Sequence, residues 1–353
     1  MKIAIETTSI QSIDKYRGIG SYTKNLISAL KKYKPENKYL FFTRTDKLSK
    51  SVDLIHYPHF SPLFLTLPLF KKYKTVVTIH DLTPLVFPDK FPRGIKGELK
   101  WQLQKLSLKN TSAIITDSNN SKKDIVKFTN FPKEKIYIVS LAAGEEFKKL
   151  KIDNWKLKIT QKYQLPDIFV LYVGDLNWNK NVLGLIKAFS TIQPFNHPTI
   201  KLVLIGKAFK NKELKEAQEI NQLTKQLGIE DSILKLGFVP IEDLVAIYNL
   251  ASVYCQPSFY EGFGLPVLEA MACGTPVVAA KIAVLEEVCG DAATYINPYS
   301  VDSIKNGVKK ILCLNDSNHL DKIRRGKKQA RKFSWKKTAK ETIRIYEKII
   351  KRS

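Results

Sequence analysis

Residues 261–276, Glu261-Gly262-Phe263-Gly264-Leu265-Pro266-Val267-Leu268-Glu269-Ala270-Met271-Ala272-Cys273-Gly274-Thr275-Pro276, carry the strongest local signal in this 353-residue chain. An apolar strand, Val253 to Gln256, runs into the glycine-rich turn; a helix opens at about Leu265, and another apolar run follows at 276–280. Strand, turn, helix and strand in that order make one unit of a parallel α/β sheet. Glycines in the turn let backbone N–H groups approach a ligand, and the helix N-terminus favours an anion. Pro266 fits the first helical turn, where its missing N–H costs nothing. Two carboxylates bracket the turn, Glu261 before the helix and Glu269 within it. A carboxylate accepts hydrogen bonds strongly and so discriminates the hydroxyl positions of a sugar.

The same alternation extends in both directions. Towards the N-terminus, strand-like runs fall at 2–6, 38–43, 53–57, 74–80, 113–117 and 135–139, with amphipathic stretches such as 21–33 and 119–129 between them. The second half repeats the scheme, with strands at 168–174, 200–206, 233–238, 252–256 and 276–280 and helices at 181–192, 211–228, 241–250 and 265–273. Continuous Val/Ile/Leu runs are the mark of buried parallel strands. Two successive βαβ systems imply two Rossmann-like, doubly wound domains facing each other. The polar, lysine-rich segment 145–166 reads as the linker. The expected domains are therefore 1–160 and 161–334, with a closing amphipathic helix over 335–353 that places Ile343, Tyr346 and Ile350 on one face.

Composition narrows the class. Charge is the unusual quantity: 58 basic against 33 acidic residues give +25. Residues 1–160 hold 30 basic and 14 acidic (+16), 161–320 hold 14 and 16 (−2), and 321–353 hold 14 and 3 (+11). A uniformly basic nucleic-acid binder would not show a neutral middle, and no nucleic-acid partner is expected. The cysteines, Cys255, Cys273, Cys289 and Cys313, form no CxxC pair, which suggests a reducing compartment and no zinc site. The N-terminal residues lack the apolar core of a signal peptide, and no run approaches ~18 apolar residues. A cytoplasmic protein, peripheral at most at the inner membrane face, is expected.

The 261–276 string resembles the signature of the retaining glycosyltransferases of the GT-B fold, family 4, also called glycosyltransferase group 1. Other motifs follow in the family's order. Arg17-Gly18-Ile19-Gly20-Ser21-Tyr22-Thr23 is similar to its first-strand loop, Thr78-Ile79-His80-Asp81-Leu82 to its TIHDL element, and Thr116 to Lys122 to its first-domain serine motif. Val173-Gly174-Asp175-Leu176-Asn177-Trp178-Asn179-Lys180-Asn181 is similar to its phosphate loop, and Phe333-Ser334-Trp335 to Tyr346 to its C-terminal helix, which in that fold crosses back to the first domain.

The resemblance implies roles. Glu261 would contact donor-sugar hydroxyls, with Gly262 beside it and Phe263, Gly264 and Leu265 presenting amides to sugar and phosphate. Glu269 would hold the ribose, and Phe238 and Val239 would meet the base. Lys180, with Gly174 and Asn179, would receive the diphosphate, and Gly18 and Gly20 would approach it from the other domain. His80 would sit against the transferred sugar. His56 and His59 are candidates for the acceptor pocket, beside Ser118 to Lys122. The usual arginine before the lysine is Asn179 here and another common cation is Asp175, which leaves Lys207 as a substitute.

Glycosyl transfer builds negative charge on the leaving phosphate, which a catalyst must stabilise. No two aspartates are separated by a single residue, so that charge falls to Lys180, glycine amides and helix N-termini, and no metal or other cofactor is expected. Retention follows from the resemblance. Of the rivals, a Rossmann oxidoreductase lacks GxGxxG at Gly18-Ile19-Gly20, and a sugar-nucleotide epimerase lacks its His/Asp/Glu chemistry. Likeness to mannosyl-type enzymes points first to GDP-mannose and second to a UDP-hexose, with a saccharide or lipid-linked acceptor in surface polysaccharide assembly. Ser61 to Phe70, followed by Lys71, Lys72 and Lys74, reads equally as a packed loop or as an apolar wedge on an anionic membrane. If the final stretch joins the first domain, +27 lies on the acceptor side.

Overall fold

The computed structural model describes residues 1–11, 18–46, 48, 51–151, 155–192 and 200–351. Two compact units form: Met1–Ala142 with Phe333–Ser353, and Ala143–Lys332. In the first, strands β1 (Lys2–Glu6), β2 (Lys38–Phe42), β3 (Leu54–Tyr57), β4 (Thr75–Thr78), β5 (Ala113–Thr116) and β6 (Ile136–Ile138) pair in parallel, in the order β2-β1-β3-β4-β5-β6. Every residue of β3, β4 and β5 is buried, which is why these strands read as unbroken apolar runs. Their connections include α1 (Thr8–Gln11), α2 (Gly18–Tyr33), α3 (Thr83–Val86), α4 (Gly94–Lys109) and α5 (Asn119–Thr129). Ser118 caps α5 by accepting from the Ser121 amide at 3.1 Å.

The helix Trp335–Lys351 packs along α2 in this same unit. Trp335, Ala339, Ile343, Tyr346 and Ile349 are buried along it. The inward stripe thus ends on Ile349 rather than the expected Ile350, which is half-buried. Lys74 donates to the carbonyls of Ile349 and Ile350 at 3.0 and 2.8 Å, placing a cation on the helix C-terminus.

The second unit contains α6 (Trp155–Tyr163), β7 (Phe169–Val173), α7 (Val182–Ser190), β8 (Lys201–Ile205), α8 (Lys215–Gln226), β9 (Ile233–Gly237), α9 (Ile241–Leu250), β10 (Val253–Gln256), α10 (Leu265–Cys273), β11 (Val277–Ala280), α11 (Ala283–Cys289), β12 (Thr294–Ile296), α12 (Val301–Leu312) and α13 (Asp316–Ala330). Its parallel order is β12-β11-β10-β7-β8-β9. The strand order reverses between β7 and β10 here, and between β1 and β3 in the first sheet. Open α/β sheets bind ligands beyond the carboxyl ends of the strands at such reversals.

Three expectations need correction. The boundary lies at 142, not 160, because the segment after it is tied into the second unit. Asn249 accepts from the Leu150 amide and donates to the Lys148 carbonyl, both at 2.9 Å, and Lys162 and Tyr163 of α6 both reach Asp243 of α9 at 2.6 Å. At the other end α13 belongs to the second unit: Gln329 donates to the Val288 carbonyl at 2.7 Å, and Gly326 lies where a Cβ would touch Met271. The charge therefore divides differently. The first unit carries 32 basic and 13 acidic residues (+19), and the second 26 and 20 (+6). Finally, Gly18 and Gly20 lie within α2 (Gly18–Tyr33) instead of a loop. Arg17 lies outside the described residues, as do residues 152–154 of the expected linker. Among the described residues, no helix is long and apolar enough to cross a membrane.

Candidate active site

In the second unit the strand ends converge through glycine. Gly174, Gly206 and Gly237 follow or end β7, β8 and β9, and their backbones bond in series: Gly174 N to Ile205 O at 2.9 Å and Gly206 N to Gly237 O at 3.0 Å. A Cβ on Gly206 would lie 2.1 Å from the Gly174 carbonyl oxygen, so no side chain fits there. Beyond β7 a turn brings Lys180 round, and beyond β10 the loop 257–264 brings Glu261. Their side chains meet at 2.7 Å, with Glu261 almost wholly buried.

Glu261 is fixed on its other oxygen too. Its Oε1 accepts from Gln256 Nε2 at 2.8 Å and from Ser258 Oγ at 2.7 Å. Gln256 also donates to Ser258 Oγ at 2.8 Å, and its own oxygen accepts from Tyr254. A buried carboxylate so held is fixed in one orientation, with both oxygens engaged. Gly264, at φ 101°, turns the chain into α10, and a Cβ there would meet Leu285 at 2.7 Å.

Asn179 occupies the place of the missing arginine, and its side chain turns inward. It is buried, its Nδ2 donates to the Tyr260 carbonyl at 2.9 Å, and its own carbonyl accepts from the Phe259 amide at 2.8 Å. Asn181 does the same on the other side, donating to the carbonyls of Pro257 and Pro298 at 3.1 and 2.7 Å. The pair of asparagines locks the Lys180 turn to the Glu261 loop. Trp178, Phe259 and Tyr299 stack in series beside it, with centroids 4.9 and 4.8 Å apart.

Glu269 lies on α10, one turn in from Leu265, and accepts from Tyr248 Oη at 3.0 Å. Desolvation by its apolar neighbours pushes its carboxyl up to about 7, against the Tyr248 hydrogen bond. Phe238, past the end of β9, is 51% exposed, with Lys207 Nζ 5.3 Å from its ring centroid, whereas Val239 is buried. Lys207 thus lies against an aromatic face at another strand end, rather than in the Lys180 turn.

The first unit carries a different constellation. His80 follows β4 and Asp117 follows β5. The parallel register, Thr78 opposite Ile115, puts the two level just past the strand ends. His80 Nδ1 and Asp117 Oδ2 lie 2.7 Å apart, and Ser121 Oγ donates to the His80 carbonyl at 2.8 Å. Burial opposes charge on His80, but the Asp117 carboxylate holds the imidazole above its ordinary value. Tyr22 packs edge-on against His80 at 4.6 Å, and its hydroxyl meets Thr78 Oγ1 at 3.0 Å. Thr78 in turn meets His56 Nε2 at 2.8 Å, and His56 Nδ1 meets Tyr346 of the C-terminal helix at 2.5 Å.

His56 is fully buried and bonded on both nitrogens, so it cannot line an acceptor pocket. Desolvation and the His80 charge lower its pKa to about 3, keeping it neutral. His59 is mostly buried and similarly lowered to about 3.

Lys180, Asn179, Gly174, Glu261, Gly262, Phe263, Gly264, Leu265, Glu269, Phe238 and Val239 all lie in the second unit; His80, Gly18 and Gly20 lie in the first. Three polar residues escaped the sequence reading: Asp117, Gln256 and Ser258. Asp117 was legible from strand register, since a carboxylate ends the run next to the one ended by His80. Gln256 shows as a polar residue closing a buried strand.

Residues 153–333 match the family model described as glycosyl transferases group 1, and residues 16–142 that of glycosyltransferase family 4. The O-antigen chain mannosyltransferase B of Escherichia coli is 33% identical over 274 residues, covering 77% of this chain and 70% of its own length. The serotype-specific mannosyltransferase WbdA of Escherichia coli is 29% identical over 284 residues, 80% of this chain; the match spans about a third of its length, 34%. Among solved structures, the sucrose-phosphate synthase of Thermosynechococcus elongatus superposes with a TM-score of 0.77 at 19% identity, covering all of both chains, which establishes a shared GT-B fold.

Proposed function

The chain belongs to the group 1, family 4 glycosyltransferases, and we propose that it moves a mannosyl residue from GDP-mannose, with a UDP-hexose as the second choice, onto a saccharide or lipid-linked saccharide in surface polysaccharide assembly. The buried Glu261 carboxylate, tied to Gln256, Ser258 and Lys180 at the strand-order reversal, is the observation that carries this reading. A carboxylate that is oriented and already dehydrated exchanges one hydrogen bond for a sugar hydroxyl at little reorganisation cost.

In the proposed reaction the bond from the anomeric carbon to the leaving phosphate oxygen breaks, and the acceptor oxygen forms its bond on the same face. The acceptor proton passes to the departing phosphate. Lys180 neutralises the diphosphate as its charge grows. Glu261 orients the sugar, Glu269 receives ribose hydroxyls, and exposed Phe238 offers a face to the base. We assign His80, held by Asp117, to the transferred sugar. With no Asp-x-Asp pair in the sequence to hold a divalent metal, we assign the phosphate charge to protein groups alone.

The test is transfer from radiolabelled GDP-mannose and UDP-hexoses to a polysaccharide-primed membrane extract, with and without chelator. Mannose incorporation unaffected by chelation is expected, with an α-linked product from the α-configured donor. Release of free sugar without transfer would overturn the reading.

A further inference from the structure

Three loops at the carboxyl edge of the second sheet each carry one aromatic ring: Trp178 beyond β7, Phe259 beyond β10 and Tyr299 beyond the edge strand β12. The rings lie nearly parallel, Trp178 and Phe259 inclined by 28° and Phe259 and Tyr299 by 25°. Pairs inside the two cores, such as Phe42–Tyr57 and Tyr172–Phe209, meet edge-on at 86° and 84° instead. Edge-on rings fill space, whereas a parallel series keeps a flat aromatic face at its end. Trp178 and Phe259 are half-buried. Tyr299, stacked by one face on Phe259, is 72% exposed and offers its other face to solvent.

The backbone under Tyr299 is pinned on both sides. Asn181 donates to the Pro298 carbonyl at 2.7 Å, Asn297 Oδ1 accepts from the Tyr299 amide at 3.0 Å, and the Asn297 amide donates to Ser303 Oγ at 2.9 Å. Ser300 caps α12 by accepting from the Ser303 amide at 3.1 Å. A ring mounted on so fixed a turn has little ordering left to lose when a ligand lands on it. The series also begins at the candidate donor site, because Trp178 stands two residues before Lys180 and Phe259 two before Glu261. The surrounding charge selects the ligand. A nucleic-acid strand needs a cationic groove beside its stacking rings. The loops 175–181, 257–262 and 297–302 hold one cation, Lys180, against Asp175, Glu261 and Asp302, and Lys180 is paired with Glu261 at 2.7 Å. A neutral ring fits better: the slightly positive C–H face of a pyranose meets the negative face of an aromatic ring. Exposed Asn177 and Asn297, close in sequence to the two end rings, supply amides suited to hydroxyls.

We propose that the Trp178–Phe259–Tyr299 series is a saccharide platform, on whose exposed end Tyr299 receives a pyranose ring of the neutral chain that the enzyme extends. It holds that chain beside the donor site without touching the reacting atoms. Phe259 and Trp178 keep the Tyr299 ring flat, and the asparagines keep its turn in place. The identity of the sugar rests on the transferase reading, whereas the binding itself is measured without donor or turnover.

Saturation-transfer NMR of the full chain with α-linked mannotetraose, and in parallel with maltotetraose, tests it. Contact is expected at the ring C–H protons of the mannose oligomer, and it should persist in saturating GDP. Tyr299→Ala should lower the affinity by at least about threefold, the scale of one aromatic stacking contact, at an unchanged melting temperature. Tyr299→Phe and Tyr299→Trp should retain binding, since the ring and not the hydroxyl carries it. Contact with neither oligosaccharide, displacement by GDP, or equal affinity of Tyr299→Ala would each overturn the platform. A loss of binding that tracks a lower melting temperature in all three variants would assign Tyr299 to packing instead. Tyr299-dependent contact with maltotetraose alone would sink the mannosyl reading and leave the platform standing. Tyr299-dependent binding without transfer from any nucleotide sugar would sink the catalytic reading alone.

Discussion

At the carboxyl ends of β7 and β10, Lys180 and Glu261 meet as opposite charges at 2.7 Å; at the ends of β4 and β5, His80 and Asp117 meet at the same distance. The pairs differ in what surrounds them. Lys180 and Glu261 lie between glycine-rich turns, fixed by asparagine and glutamine amides that contribute no charge. His80 and Asp117 sit at the head of a buried lattice of hydroxyl and imidazole groups running through Thr78 to His56 and Tyr346. The first arrangement can trade its internal ion pair for a ligand, because the amides keep the carboxylate in place. The second holds one imidazole in one orientation and favours its charged form.

Removing either member of the first pair should break that contrast most sharply. Lys180→Ala is expected to lower kcat/KM by at least a hundredfold, about 2.7 kcal/mol, and to destabilise the fold by leaving Glu261 buried and unpaired. A loss under tenfold would remove Lys180 from the phosphate role. Gln256→Ala should reduce turnover by about tenfold to a hundredfold while sparing the Lys180 contact, since it frees Glu261 on one side only. Steady-state kinetics separates the two variants.

In the first unit, Asp117→Asn should lower the His80 pKa, visible as an upfield-to-downfield NMR titration at lower pH. Because the folded imidazole titrates above its ordinary value, the stabilisation by Asp117 is greatest below the ordinary imidazole value, where Asp117 is still ionised, and is lost as pH rises through the folded pKa. The melting temperatures of wild type and variant should therefore converge in alkaline buffer; a constant gap would refute the pairing. Tyr346→Phe should cost about 1–3 kcal/mol, the range for a buried group left unbonded, measured by denaturant unfolding.

The effect of Glu269 shows only as a slope with pH. With its carboxyl raised to about 7, the native state holds a proton that the unfolded chain releases nearer 4.5, so stability falls as pH rises across that interval. The ionised form accepts hydrogen bonds best, so nucleotide affinity should instead rise through the same range. Glu269→Gln should flatten both slopes, read by thermal shift with GDP at several pH values.

Much of the fold was legible because buried parallel strands are continuous apolar runs, and both sheets announced themselves that way. The elements missed had no such pattern. α4 is apolar on both sides and shows no single stripe, and α13 is dominated by charge. β12 has only three residues, one of them fully buried. For the site, Glu261, Lys180 and the glycines were visible as a contiguous motif, whereas Asp117 meets His80 through the register of neighbouring strands and Gln256 reaches Glu261 through the fold of the loop between them. The path of the Asn179 side chain was hidden for a related reason: position in a motif says where a side chain starts, and only packing says that it turns inward to Tyr260.

The Tyr346–His56 hydrogen bond joins residues 290 positions apart. At about 5–20 residues per second, a ribosome needs roughly 15–60 s to travel between them. Throughout that interval the nascent first sheet has a neutral imidazole in its core with no partner for Nδ1, and a side of α2 without its covering helix. The entire second unit is made meanwhile. The first domain to emerge is thus the last to be finished, and it depends on the other folding promptly enough to deliver the closing helix before chaperones or proteases reach the gap.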